Sequence, residues 1–135
     1  MWKETIVCVV IISVIVVANI ITQNYTVNSV ETLTEEIGEV KELALKLDED
    51  EAKPQIENEI KEKMDKTNAN WHKRHDKLAY YIEHDELEKV ETYLTGINSY
   101  LETKEYGEAT SEIEKAIFVL KHIEDKYSFS LENIF

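Results

Sequence analysis

Crosslinkers and helix breakers are scarce in this chain. A single cysteine, Cys8, excludes an intrachain disulfide and any metal site built from several thiolates. One proline, Pro54, and three glycines, Gly38, Gly96 and Gly107, leave long stretches with nothing to interrupt a helix. Positive charge is also short, with 15 Lys+Arg against 28 Asp+Glu and a net charge of −13. An acidic surface of this kind repels nucleic acid and anionic lipid headgroups and favours solubility, so no nucleic-acid partner is expected. No Ser, Cys or Thr is set beside a base by the sequence, and carboxylate pairs such as Glu35 and Glu39 read as exposed helix positions. The expectation is a non-enzyme with no catalytic residues and no cofactor.

What is abundant lies at the start. Between Ile6 and Ile21, twelve of sixteen residues are Ile or Val, none is charged, and the polar exceptions are Ser13 and Asn19. Each Ile or Val contributes about −0.3 to −0.6 kcal/mol to insertion, so the run supplies roughly −4 to −7 kcal/mol and outweighs one Ser and one Asn. Sixteen residues reach only about 24 Å against a hydrocarbon core of roughly 30 Å. Thr5 and Thr22 extend the run, and Trp2 and Tyr25, about 35 Å apart on a helix, place one ring in each interfacial belt. Residues 6–21 are therefore read as a membrane anchor. No small-x-small cleavage pattern follows Ala18, which argues for an uncleaved signal anchor. Cys8 lies inside the span and near its start, which does not suit a lipoprotein. Lys3 and the terminal amine precede the span and the next basic residue is Lys41, so the N-terminus is expected in the cytoplasm and residues 25–135 outside it.

The outer part reads as all-α, an antiparallel helical bundle. Val30, Leu33, Ile37, Val40, Ala44 and Leu47 keep a three-four alternation, giving a first helix over residues 28–50 that the acidic run ending at Glu51, then Pro54, terminates. Pro54 suits the first turn of a second helix reaching about Glu83, with Ile56, Ile60, Met64, Thr67, Trp71, Leu78 and Ile82 on its inner face. Asp85 and Glu88 resemble a capping box opening a third helix with core face Leu87, Val90, Leu94, Ile97 and Leu101. A turn at residues 104–107 precedes a fourth helix carrying Ala109, Ile113, Ala116, Ile117, Leu120 and Ile123. The short connection makes helices three and four an antiparallel hairpin. Residues 104–117 resemble the inter-helix stretch of a tetratricopeptide unit, but no second copy stands at the required spacing, so a plain hairpin is preferred. Nine acids against Lys41 and Lys46 in residues 31–51 face six Lys/Arg against three acids in residues 61–77, so helices one and two should attract.

Candidate chemistry is sparse. His72 and His75 stand about one turn apart and only Asp76 could add a ligand from the same helix, too few for a zinc site, so no metal is expected. His84, Asp85 and Glu86 fall between two helices, where capping explains Asp85. Asn24-Tyr25-Thr26 matches a glycosylation acceptor but abuts the span, and the Ile-, Lys- and Glu-rich composition has a bacterial look. The apolar tail of Phe129, Leu131, Ile134 and Phe135 is expected to fold back on the bundle.

Taken in order, the N-terminal span, Trp71, the segment Tyr81-Ile82-Glu83-His84-Asp85-Glu86-Leu87, the helix over residues 109–120 and the ending Ser130-Leu131-Glu132-Asn133-Ile134-Phe135 resemble DUF4363, an uncharacterised family of anaerobic spore-forming bacteria. The resemblance implies a short single-span protein with an outer helical domain and brings no reaction or ligand with it. Two functions are expected to compete. One is a membrane-anchored envelope protein whose acidic outer domain binds another envelope protein, with self-association of the soluble part disfavoured. The other is a sensor that takes a small ligand or metal near Trp71, His72, His75 and Tyr80.

Overall fold

The computed structural model describes residues 1–49 and 53–128. They form four helices, α1 (Trp2–Glu49), α2 (Pro54–Leu78), α3 (His84–Glu102) and α4 (Tyr106–Tyr127). The bundle is built on α1, which packs against both α2 and α4, while α3 packs on α4 and meets α2 only lightly.

The apolar segment and the first bundle helix are one continuous helix of 48 residues, not two elements with a start at residue 28. Nothing before Gly38 can break it. The Ser and Thr hydroxyls in its middle, which elsewhere compete with helical hydrogen bonding, fold back on carbonyls one turn earlier: Thr26 on Thr22 at 2.8 Å, Ser29 on Tyr25 at 2.7 Å and Thr32 on Asn28 at 2.7 Å. Along this rod exposure changes abruptly. All twelve Ile and Val residues of positions 6–21 are 49–62% exposed, whereas Val30, Leu33, Ile37, Val40, Ala44 and Leu47 are buried within the same chain.

The seams of the other helices follow the expected spacing, with three shifts at their ends. Ile60, Met64, Thr67, Trp71 and Leu78 are buried on α2, but the helix stops at Leu78. Residues 79–83 form a tight turn, in which the Tyr81 and Ile82 N–H groups both donate to the Leu78 carbonyl. Ile82 therefore reaches the core from a turn and not from a helix face. The Asp85 capping box is absent: Glu83 occupies the N-cap with no side-chain cap bond, and Asp85 sits in the first turn of α3, where its charge complements the helix dipole. Gly107 does not delay α4, which starts at Tyr106.

The corner between α3 and α4 turns on Lys104, whose φ of 60° is left-handed. Glu105 N–H donates to the Tyr100 carbonyl at 2.8 Å and Lys104 N–H to Leu101 at 3.2 Å, a Schellman closure in which glycine is the usual residue. Lysine offsets part of the strain by reaching α2, where its Nζ lies 3.0 Å from Glu57. The charge pairing expected between the first two helices is present: Lys63 meets Glu39 at 2.7 Å and Lys66 meets Glu36 at 3.4 Å. Lys41 adds a link from α1 to Glu114 of α4 at 2.8 Å. Arg74 faces Asn28 and Ser29 while Lys63 faces Glu39, so α2 runs antiparallel to α1 and brings its C-terminus back to the apolar segment. Asp50, Glu51 and the tail residues Phe129, Leu131, Ile134 and Phe135 lie outside the described residues.

Candidate functional site

The densest polar assembly encircles α1 where the apolar segment ends. Thr26 and Ser29 are fully buried, although the positions that follow on the same face, Val30 and Leu33, hold apolar residues. Thr26 Oγ1 lies 3.0 Å from the Tyr81 hydroxyl, and that hydroxyl also donates to the Thr22 carbonyl at 3.2 Å. Arg74 fills the other side, donating through Nη1 to Ser29 Oγ at 3.0 Å and Asn28 Oδ1 at 3.1 Å, and through Nη2 to Thr32 Oγ1 at 3.4 Å. Its guanidinium and the Lys77 ammonium lie 6.0 and 5.3 Å from the centre of the Tyr25 ring. Burial raises the Tyr81 pKa above its ordinary value, while the Thr26 hydrogen bond acts the other way. This collar ties the turn after α2 and the last turns of α2 to the top of the apolar segment. The sequence signal for it is faint. The three-four seam continues upstream of Leu33 as Ser29, Thr26 and Thr22, small hydroxyl residues that a hydrophobicity pattern scores as solvent-facing, and their partners lie 45 to 59 positions away.

A second assembly lies at the opposite end of the bundle, where the slight contact between α2 and α3 leaves an open groove of about 300 Å³. Glu57 is its centre, held by Lys104 and by the Tyr106 hydroxyl at 3.4 Å. Glu57 holds the Lys104 ammonium above its ordinary pKa, and burial does the same for the Tyr106 phenol. Deeper along the same contact, Asn68 and Asn98 exchange amide hydrogen bonds of 3.1 and 3.2 Å.

A third surface runs between α3 and α4, a shallow groove lined by Tyr93, Phe118, Val119 and His122 among others. Phe118 is 74% exposed. At one end Glu86 is buried, with the ammonium groups of Lys126 and Lys89 at 3.6 and 3.7 Å and His122 Nε2 at 3.9 Å.

The residues singled out from the sequence are mostly dispersed. Trp71 is turned into the core, and the His75 ring meets it edge-on at 5.5 Å. His72 is exposed, and Tyr80 stands 89% exposed in the turn after α2. His75 Nδ1 lies 3.7 Å from Asp76. Among the described residues, no three His, Cys, Asp or Glu side chains are placed to hold a metal ion. The triplet His84, Asp85 and Glu86 separates, because successive helical residues point about 100° apart. His84 and Asp85 face solvent while Glu86 faces α4. Asn24 is exposed on helical backbone, and Glu39 pairs with Lys63, which lowers the Glu39 carboxyl below its ordinary value.

These features define an all-helical protein, a small bundle carried on one helix long and apolar enough to cross a membrane. The chain belongs to the family Domain of unknown function (DUF4363), whose model matches residues 20–134. The match begins at the collar and takes in the whole bundle, leaving most of the apolar segment ahead of it. No curated protein and no solved structure matches the chain.

Proposed function

We propose that the protein is a single-pass, non-enzymatic envelope protein, in which residues 1–24 anchor residues 25–135 at the outer face of the cell membrane and the outer domain binds another envelope protein. The carrying observation is the exposure of every Ile and Val of positions 6–21 on a helix that continues without a joint into the bundle. Water does not tolerate a bare apolar rod of that length, and a bilayer does. Lys3 ahead of the span and the absence of basic residues just after it support a cytoplasmic N-terminus.

The groove between α3 and α4 is the face we assign to the partner. Phe118 offers a large ring there, with charges of both signs beside it, the composition of an interface centre with a polar rim. The seam of α1 is not available for self-association, since α2 and α4 already cover it.

Photo-crosslinking from benzoylphenylalanine at position 118, in the full-length protein in native membranes, tests the proposal. A discrete adduct absent when the probe is moved to Lys61 on α2 supports it. Equal or no adducts from both positions would remove the partner-binding reading. A metal or ligand sensor around Trp71, His72, His75 and Tyr80 is the alternative, and binding of zinc that is lost on changing both His72 and His75 would favour it.

A further inference from the structure

We infer that the turn between α2 and α3 is a second membrane contact, in which Tyr80 inserts its ring into the headgroup layer on the side of the bundle. This deepens the single-span reading and rests on it.

The height of the turn is fixed by the collar. The Tyr81 hydroxyl donates to the Thr22 carbonyl, one residue past the end of the apolar run at Ile21. α2 descends antiparallel to α1, with Arg74 level with Asn28 and Ser29. One further turn of about 5.4 Å brings Leu78 level with residues 24 and 25, so Ala79 and Tyr80 stand at the edge of the hydrocarbon. No linker intervenes that could lift the bundle away, because α1 is helical throughout.

The side chains suit that position. Tyr81 and Ile82 are spent on the collar and the core, whereas Tyr80 is 89% exposed, the most exposed aromatic residue among the described residues. A tyrosine at the boundary of hydrocarbon and water keeps its ring among the glycerol and acyl groups and its hydroxyl wet. The charge around the turn is mixed: Lys77 lies over the Tyr25 ring, Glu83 pairs with Lys126 at 3.0 Å, and Asp76 and Asp85 are exposed. The contact is therefore made by the ring and not by attraction to anionic lipid, and it should form on a zwitterionic bilayer.

The full-length protein in phosphatidylcholine vesicles provides the test. In a Cys8→Ser background, an environment-sensitive fluorophore is attached at Ala79→Cys, with Asn58→Cys at the far end of α2 and Ile15→Cys in the span as references. Nitroxides on the lipid headgroup should strongly quench the probe at 79 and spare the probe at 58, and nitroxides on the acyl chain should quench the probe at 15. Adding Tyr80→Ser should weaken headgroup quenching at 79. If the probe at 79 behaves like that at 58, or if Tyr80→Ser leaves its quenching unchanged, the second contact is overturned while the span stands. Loss of acyl-chain quenching at position 15 would instead overturn the span itself.

Discussion

Replacing Trp71 by alanine removes the largest fully buried side chain of the bundle, 2% exposed on the inner face of α2. Truncating a buried Trp costs about 3–5 kcal/mol through lost transfer energy and the cavity left behind. For a domain of roughly 100 residues, each kcal/mol moves Tm by about 4–8 °C, so the variant should melt at least about 12 °C below the parent. Trp71→Phe separates packing from polarity. The Trp71 indole N–H is buried with no hydrogen-bond partner among the described residues, a debt of about 1–3 kcal/mol that phenylalanine does not carry. It offsets much of the smaller cavity, so Trp71→Phe should lie within about 2 kcal/mol of the parent. Thermal melts of full-length protein in detergent, followed by circular dichroism, give both values. Equal losses for the two variants would refute the reasoning about the N–H, and a parental Tm for Trp71→Ala would refute the place of Trp71 in the core.

Gly38→Ala should stabilise the bundle by about 0.5–1 kcal/mol, because the residue is mid-helix and a Cβ there meets nothing within 4 Å; a chemical-denaturation midpoint checks it. Arg74→Lys should destabilise almost as much as Arg74→Ala, on the order of 1–3 kcal/mol, since one ammonium cannot span Asn28, Ser29 and Thr32; comparison of the two melting temperatures decides it. The Glu39 carboxyl is lowered by its hydrogen bond from Lys63 and then by the lysine's charge, and the Lys63 ammonium is raised by Glu39. A lowered carboxyl contributes stability above its unfolded value and loses it as pH falls through the folded one. A raised ammonium contributes below its unfolded value and loses it as pH rises through the folded one. The pair thus contributes at neutral pH, and the Tm difference between the parent and Lys63→Met should shrink in acid and again in strong alkali. A C-terminal tag on the full-length protein should be removed by protease added to intact protoplasts; survival of the tag until lysis would reverse the topology.

The helical seams were legible because apolar residues three and four apart need no knowledge of their partners. Val30 to Leu47 on α1 and Leu87 to Ile97 on α3 are buried at the positions their spacing indicates. Ends were less legible. The extension of α2 to Glu83 failed because Ile82 fits the helical period, yet the turn reaches the core equally well, and the capping box at Asp85 failed because the helix had already begun at His84. The collar is illegible for a different reason: Thr26 and Ser29 are buried only because Tyr81 and Arg74 supply hydrogen bonds from distant sequence. Val119 stands three residues after Ala116 and four before Ile123, at the edge of the α4 stripe, where it is buried beside the exposed Phe118.

The absence of a joint in α1 has a mechanical consequence. Membrane helices tilt by about 20° on average, and the bundle portion of α1, residues 22–49, is about 42 Å long, so such a tilt would carry its far end sideways by about 14 Å. The groove at Glu57 and Lys104 sits at that far end, and the Tyr81 collar sits at the fulcrum. A jointed protein would absorb changes in bilayer thickness in its linker. With residues 6–21 spanning the bilayer as proposed, this one would convert them into displacement of the tip, as a mast answers the deck on which it stands.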